Sequence, residues 1–115
     1  MVPYRVEARG SPNPRRLGQT FETTSLSFDV SDAGFEQLAA QFEDACSFLS
    51  LNEKDLQYLA HRGQLVLDFG YTHRRIANAA MLVQCDRLPK ELVKLAARLD
   101  VEIEISLYPE DDAEP

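Results

Sequence analysis

The hydrophobic period of the chain switches between two residues and about 3.6 residues several times, and this switching constrains its fold most. The clearest case is Val101-Glu102-Ile103-Glu104-Ile105-Ser106-Leu107-Tyr108, in which apolar and polar residues alternate. Such alternation is typical of a strand with one buried face. The apolar residues before it recur at three- and four-residue steps after Pro89, which predicts a helix over 89–100.

The same periodicities predict five strands and three helices in the order β-β-α-α-β-β-α-β. The predicted strands are 4–8, 23–30, 64–70, 80–86 and 101–107, and the predicted helices are 33–49, 52–63 and 89–100. The helix 33–49 has Phe35 at the start of its apolar stripe. A parallel crossover at 80–107 and a long-looped hairpin at 64–86 together predict a mixed sheet. The predicted fold is therefore α+β, with a mostly antiparallel sheet of about five strands and helices packed on one face.

A chain of 115 residues has the size of one domain with one hydrophobic core. We predict a single α+β domain over residues 1–109. Residues 110–115 carry four carboxylates and no large aliphatic or aromatic side chain, which predicts an acidic disordered tail. The sequence has neither an apolar run of membrane-spanning length nor the pattern of a secretory signal at its start, so the predicted location is the cytoplasm.

Few residues have the pattern of a chemical site. The two cysteines, Cys46 and Cys85, each lie in an apolar periodic segment, which predicts two buried, reduced thiols. The two histidines, His61 and His73, have no cysteine or carboxylate at ligand spacing, so no metal site is predicted. The sequence also has no glycine-rich phosphate loop and no nucleophile elbow. We therefore predict no catalytic residue and no cofactor.

Charged side chains supply the candidate binding residues. Glu102 and Glu104 share one strand face, and Asp68 joins them if the two strands align. Acid–base catalysis needs a buried carboxylate, which a solvated sheet face does not provide, so a docking surface is the predicted role. The stretch His73-Arg74-Arg75 is the main compact basic patch, and it predicts a solvated loop or a contact with an acidic groove of a partner.

The formal charge of −7 disfavours nucleic acid as the partner, and no membrane partner is expected. The leading hypothesis is a non-catalytic acidic domain that binds another protein with a basic surface. Its specific form is an immunity or inhibitor protein that neutralises a basic bacterial toxin or effector, because opposite charges speed encounter. The alternative is a small ligand-binding domain or an enzyme with a pocket assembled from residues distant in sequence. A homodimer is compatible with either hypothesis.

The second half of the chain also has the order of a known family. Gly63 precedes a strand, a loop and a second strand, and Arg87-Leu88-Pro89-Lys90-Glu91-Leu92 then opens a helix that leads to the alternating strand ending on Tyr108. This order resembles the C-terminal half of small bacterial domains grouped as domain-of-unknown-function family four-two-seven-nine. The resemblance covers residues 63–108 and implies a fold, since the family has no established catalytic residues to carry over.

Overall fold

The computed structural model describes residues 1–72 and 84–109. Within them the chain forms four strands and three helices, which divide between two compact units, Met1–Val30 and Ser31–Pro115. The predicted tail at 110–115 lies outside the described residues. The prediction of a single domain over 1–109 stays a prediction.

The first unit is a short antiparallel pair in which β1 (Arg5–Glu7) bonds to β2 (Ser25–Ser27). The predicted irregular connection between them contains Gly10 and Gly18, whose φ angles of 86° and 80° lie in the left-handed region. Glycine adopts this region without the steric clash that a Cβ atom causes. β2 is shorter than the predicted strand 23–30, and Leu26, which was expected to face a core, is exposed.

The second unit contains three helices and a parallel pair of strands. Its elements are α1 (Leu38–Leu51), α2 (Glu53–Ala60), β3 (Leu65–Thr72), α3 (Lys90–Arg98) and β4 (Val101–Tyr108). β3 and β4 pair in parallel along their whole length, from Leu65 opposite Val101 to Thr72 opposite Tyr108. The predicted α+β class is confirmed.

The predicted five-stranded, mostly antiparallel sheet is wrong, because the described residues form two separate two-stranded sheets. The predicted strand 80–86 lies outside the described residues at 80–83, and its remaining residues, 84–86, form no strand. With it, most of the predicted hairpin connection falls outside the described part of the chain. The connection between β3 and β4 includes α3 and is long enough to permit the parallel pairing, which requires a crossover.

The core of the second unit lies between its helices and one face of the strand pair. Phe42 of α1 meets Phe69 of β3 edge to face, with ring centroids 4.9 Å apart and an interplanar angle of 74°. Leu49, Leu92 and Leu99 are the largest fully buried side chains of the described residues. Buried and exposed residues alternate along β3, so the helices cover one face of that strand and leave the other face to solvent.

The first helix begins later than its apolar stripe predicts. The expected start at Ala33 is wrong, since α1 begins at Leu38. A buried glutamine explains the delay: Nε2 of Gln41 donates to the carbonyl oxygens of Gly34 at 3.0 Å and Gly70 at 2.9 Å. These two bonds hold the chain before α1 against β3 in a turn, so a contact between distant segments overrides the local helical period.

Candidate functional site

One face of the β3–β4 pair carries three exposed carboxylates, Asp68, Glu102 and Glu104, which we call the acidic face. The parallel register places Asp68 opposite Glu104 and Val66 opposite Glu102. Adjacent strands lie about 4.8 Å apart, and residues i and i+2 of a strand are separated by ~6.6 Å. The three carboxylates therefore form one patch, in the alignment that the docking hypothesis required.

Two neutral side chains hydrogen-bond to the acidic face. Oγ of Ser106 donates to Oδ1 of Asp68 at 2.8 Å, and Nε2 of Gln64 donates to Oε1 of Glu102 at 2.6 Å. Each bond orients a carboxylate that remains exposed to solvent. Exposed, oriented carboxylates suit the recognition of cationic side chains, because arginine and lysine donate charge-assisted hydrogen bonds to them.

Substitution of Glu104 by glutamine is expected to raise the free energy of unfolding by about 0.2–1 kcal/mol, because it removes a like charge directly opposite Asp68. Urea unfolding at low ionic strength measures the gain, which should shrink as salt screens the repulsion. Glu102→Gln is the matched control, since Glu102 faces Val66 and its replacement can still accept the Gln64 bond. Equal gains from both variants would contradict a cross-strand origin.

An exposed aromatic pair, which we call the aromatic stack, lies at the carboxyl end of the acidic face. The rings of Phe35 and Tyr108 are stacked, with centroids 5.0 Å apart and an interplanar angle of 12°. Tyr108 follows Glu104 by four residues on β4, so the two side chains point to the same face. A Cβ atom at Gly70 would lie 3.0 Å from Cε2 of Tyr108, so glycine at this position leaves room for the stack.

The sequence did not predict the aromatic stack. Phe35 was expected on the buried stripe of a helix, but it precedes α1 and is 50% exposed, and Tyr108 is 44% exposed. One signal was present in the sequence, because a glycine inside a strand pattern often marks the close approach of another group. Gly70 is that glycine.

The other predicted binding residues, His73, Arg74 and Arg75, lie outside the described residues. The structure thus brings together Asp68, Glu102 and Glu104 from the predicted set. The role of the basic stretch stays a prediction.

Neither cysteine forms a disulfide. Cys46 is partly buried on α1, whereas Cys85 is exposed. The predicted burial of both thiols is therefore wrong for Cys85, because residues 84–86 form no strand and its expected inward face does not exist. Burial, and secondarily the negative charge of Glu91, raise the pKa of the Cys46 thiol above its ordinary value.

The two thiols should react with an aromatic disulfide reagent at different rates in the native protein. Cys85 is expected to react fast and Cys46 slowly at neutral pH, because the thiolate is the nucleophile and a raised pKa lowers its population. Cys85→Ser should leave the slow phase and Cys46→Ser the fast one. The slow phase should accelerate as pH rises beyond the ordinary thiol pKa of about 8.5. Equal native rates would contradict the placement of the two side chains.

The described ranges, 1–72 and 84–109, contain neither a cluster of metal ligands nor a membrane-spanning helix. No group of three or more histidine, cysteine, aspartate or glutamate side chains there is arranged to hold a metal ion. Nor does that part of the chain contain a helix with the length and apolar character needed to cross a bilayer.

Comparison of the chain with family models, with curated proteins and with solved structures found no match in any of the three. The resemblance of residues 63–108 to family four-two-seven-nine stays a prediction from the sequence.

Proposed function

We propose that this chain is a non-catalytic protein-binding domain whose acidic face and aromatic stack hold an arginine- or lysine-rich segment of a partner protein. In its specific form, the partner is a basic bacterial toxin or effector, and the chain is the immunity or inhibitor protein that neutralises it in the cytoplasm. The small ligand-binding domain or enzyme stays the alternative.

The observation that carries the proposal is that carboxylates and aromatic rings share one exposed sheet face. An arginine side chain forms paired hydrogen bonds with a carboxylate and also stacks on an aromatic ring. Glu104 and Tyr108 are separated by four residues of strand, which corresponds to about 13 Å. An extended segment with basic side chains at positions i and i+4 matches this separation.

The energetics of the acidic face support a role in binding. Asp68 and Glu104 face each other, an arrangement that destabilises a sheet by about 0.2–1 kcal/mol. A cation held between the two carboxylates would replace this repulsion by attraction. The chain as a whole carries a formal charge of −7, so its long-range field also favours encounter with a basic surface.

Affinity capture from native lysate tests the proposal with three immobilised proteins: the wild type, Glu102→Lys/Glu104→Lys, and the control Glu22→Lys/Asp29→Lys. Both double variants raise the formal charge from −7 by four units, but the control residues lie in the first unit. A partner that uses the acidic face should be retained by the wild type and the control and lost from the first variant. Mass spectrometry identifies it.

The recovered partner then allows two sharper measurements. Its association rate with the wild type should fall steeply between low and physiological salt, because screening acts over a Debye length of about 8 Å. Tyr108→Ala should weaken binding with little effect on that salt dependence, since it removes a ring and no charge. Equal recovery by Glu102→Lys/Glu104→Lys would rule out this surface, and the stretch at 73–75 would become the next to test.

A further inference from the structure

A groove runs beside α1 in the second unit, with a volume of about 980 Å³. A strip of α1 lines one side of the groove, and the segment that leads into α3 lines the other side together with the first turn of α3. The α1 residues that line it are pairs of neighbours that recur every four residues along the helix: Leu38, Ala39, Phe42, Glu43, Cys46 and Ser47. At about 1.5 Å per residue, this strip is ~13 Å long, which is two and a half helical turns.

The groove has an apolar floor and acidic walls. Leu38, Phe42 and Cys46 lie one turn apart and form the floor on the α1 side. Among the described residues that line the groove, four carboxylates outnumber one guanidinium, so these side chains together carry a negative charge: Glu36, Glu43, Asp86 and Glu91 against Arg87.

Three of these carboxylates are available to a partner. Within the part of the chain that the structure describes, Glu36, Glu43 and Glu91 form no ion pair. Glu43 belongs to α1 and Glu91 to the first turn of α3, so both walls contribute negative charge. The charge of Glu91 also acts on the floor, where it helps to raise the pKa of the Cys46 thiol.

We propose that this groove docks a basic amphipathic helix of a partner protein. The site is separate from the acidic face, and the proposal does not rest on the function assigned to that face. A helix with apolar residues at i, i+3, i+4 and i+7 presents a stripe that matches the floor, and lysine or arginine residues beside the stripe would meet the acidic walls. A second copy of this chain fits less well, because residues 36–47 of that copy would bring their own Glu36 and Glu43 against the same carboxylates.

Synthetic peptides test the proposal without a known partner. The probe is a fluorescent peptide of about 14 leucine and lysine residues, long enough to span the groove as a helix, with leucine at i, i+3, i+4 and i+7. Two control peptides keep its length: one replaces every lysine by glutamate, and the other has the same composition in a scrambled, non-amphipathic order. Fluorescence anisotropy at physiological salt should show binding of the amphipathic lysine peptide and much weaker binding of both controls.

Charge-reversed proteins then locate the binding site. Glu36→Lys/Glu43→Lys should weaken binding of the lysine peptide at least about tenfold, which corresponds to ~1.4 kcal/mol. The matched control Glu22→Lys/Asp29→Lys and the acidic-face variant Glu102→Lys/Glu104→Lys should bind it as the wild type does. The acidic-face variant distinguishes docking in the groove from binding at the acidic face, because either proposal can fail while the other holds.

Thiol protection gives a second readout that does not depend on a substitution. Cys46 and Cys85 both line the groove, so saturating lysine peptide should slow the modification of both thiols, while the scrambled peptide should not. Equal binding of the glutamate peptide, equal weakening by all three charge-reversed variants, or unchanged thiol rates at saturation would each overturn the proposal. Elution of the wild type as a dimer with the groove thiols protected would assign the groove to a second copy instead.

Discussion

Replacing Leu92 by alanine is expected to lower the free energy of unfolding by about 2–5 kcal/mol. Leu92 is 0% exposed and lies on α3, which packs against α1 and β4. The truncation removes apolar surface from the core and leaves a cavity that the surrounding helices can close only in part. Domains of this kind are stable by roughly 5–15 kcal/mol, so the variant should lose a large share of its stability.

The next residue of the same helix is the matched control. Val93 is 47% exposed, so Val93→Ala should change the stability by less than about 0.5 kcal/mol. Urea unfolding followed by circular dichroism measures both variants. Similar midpoints for the two would contradict the burial of Leu92 and the orientation of α3.

Replacing Gln41 by glutamate should cost about 2 kcal/mol or more at neutral pH, although the two side chains have almost the same shape. Gln41 is 7% exposed, and its Nε2 donates to two carbonyl oxygens, of Gly34 and Gly70. A carboxylate oxygen in that place would face both carbonyl oxygens with no proton to donate. Loss of these two hydrogen bonds should release the turn before α1 from β3. Phe35, which lies in that segment, should then no longer be held in place.

The decrease in the free energy of unfolding caused by Gln41→Glu should depend on pH. Burial and the carbonyl oxygens favour the neutral acid, so the pKa of the introduced carboxyl should rise above its ordinary value of about 4.3. A group whose pKa is raised by folding stabilises the folded state below its unfolded pKa and loses that contribution as pH rises through its folded pKa. The stability difference from the wild type should therefore be smallest near pH 4 and largest at neutral pH. Urea unfolding of both proteins across this range measures it.

Gln37→Glu makes the same chemical change one turn earlier and serves as the control. Gln37 is exposed, and its Oε1 accepts a hydrogen bond from the amide of Gly34 at 3.0 Å. A carboxylate accepts that bond equally well, so the stability should change by less than about 0.5 kcal/mol at either pH. A comparable loss at both positions would mean that Gln41 does not anchor α1 to β3.

Elements with a clear period and a local end signal were close to their predicted bounds. β4 was expected over 101–107 and spans Val101–Tyr108, and the helix expected over 89–100 is α3, Lys90–Arg98. The signal for β4 is the alternation of apolar and polar residues, and the signal for α3 is a proline followed by an apolar stripe. Both signals depend only on residues that are neighbours in sequence. The start of α1 was missed by five residues, because the side chain that sets it bonds to a strand 29 residues away.

The candidate site also contains features that local sequence patterns predict and features that they do not. Alternation alone placed Glu102 and Glu104 on one exposed face, and the polar side of the neighbouring strand was correctly assigned to Asp68. Whether Asp68 joins them depends on register, and a shift of one residue would have turned it to the other face. The aromatic stack and the groove beside α1 both require segments far apart in the sequence to meet, and no local pattern specifies that meeting.

The sequence by itself determined which residues of β3 and α3 face the core, because side-chain direction repeats with the local backbone geometry. For β4 the predicted buried face is wrong in its second half, since Ile105 and Leu107 are exposed. It also determined the charge and the single-sign acidic strand face. Only the tertiary structure decided that β3 and β4 pair in parallel, that Asp68 lies opposite Glu104, and that Phe35 covers Gly70 together with Tyr108. The physical reason is that strand pairing is a long-range contact. A given pairing forms only if its stabilisation exceeds the entropy lost in closing the loop between the strands, and that stabilisation depends on all the packing that the pairing allows.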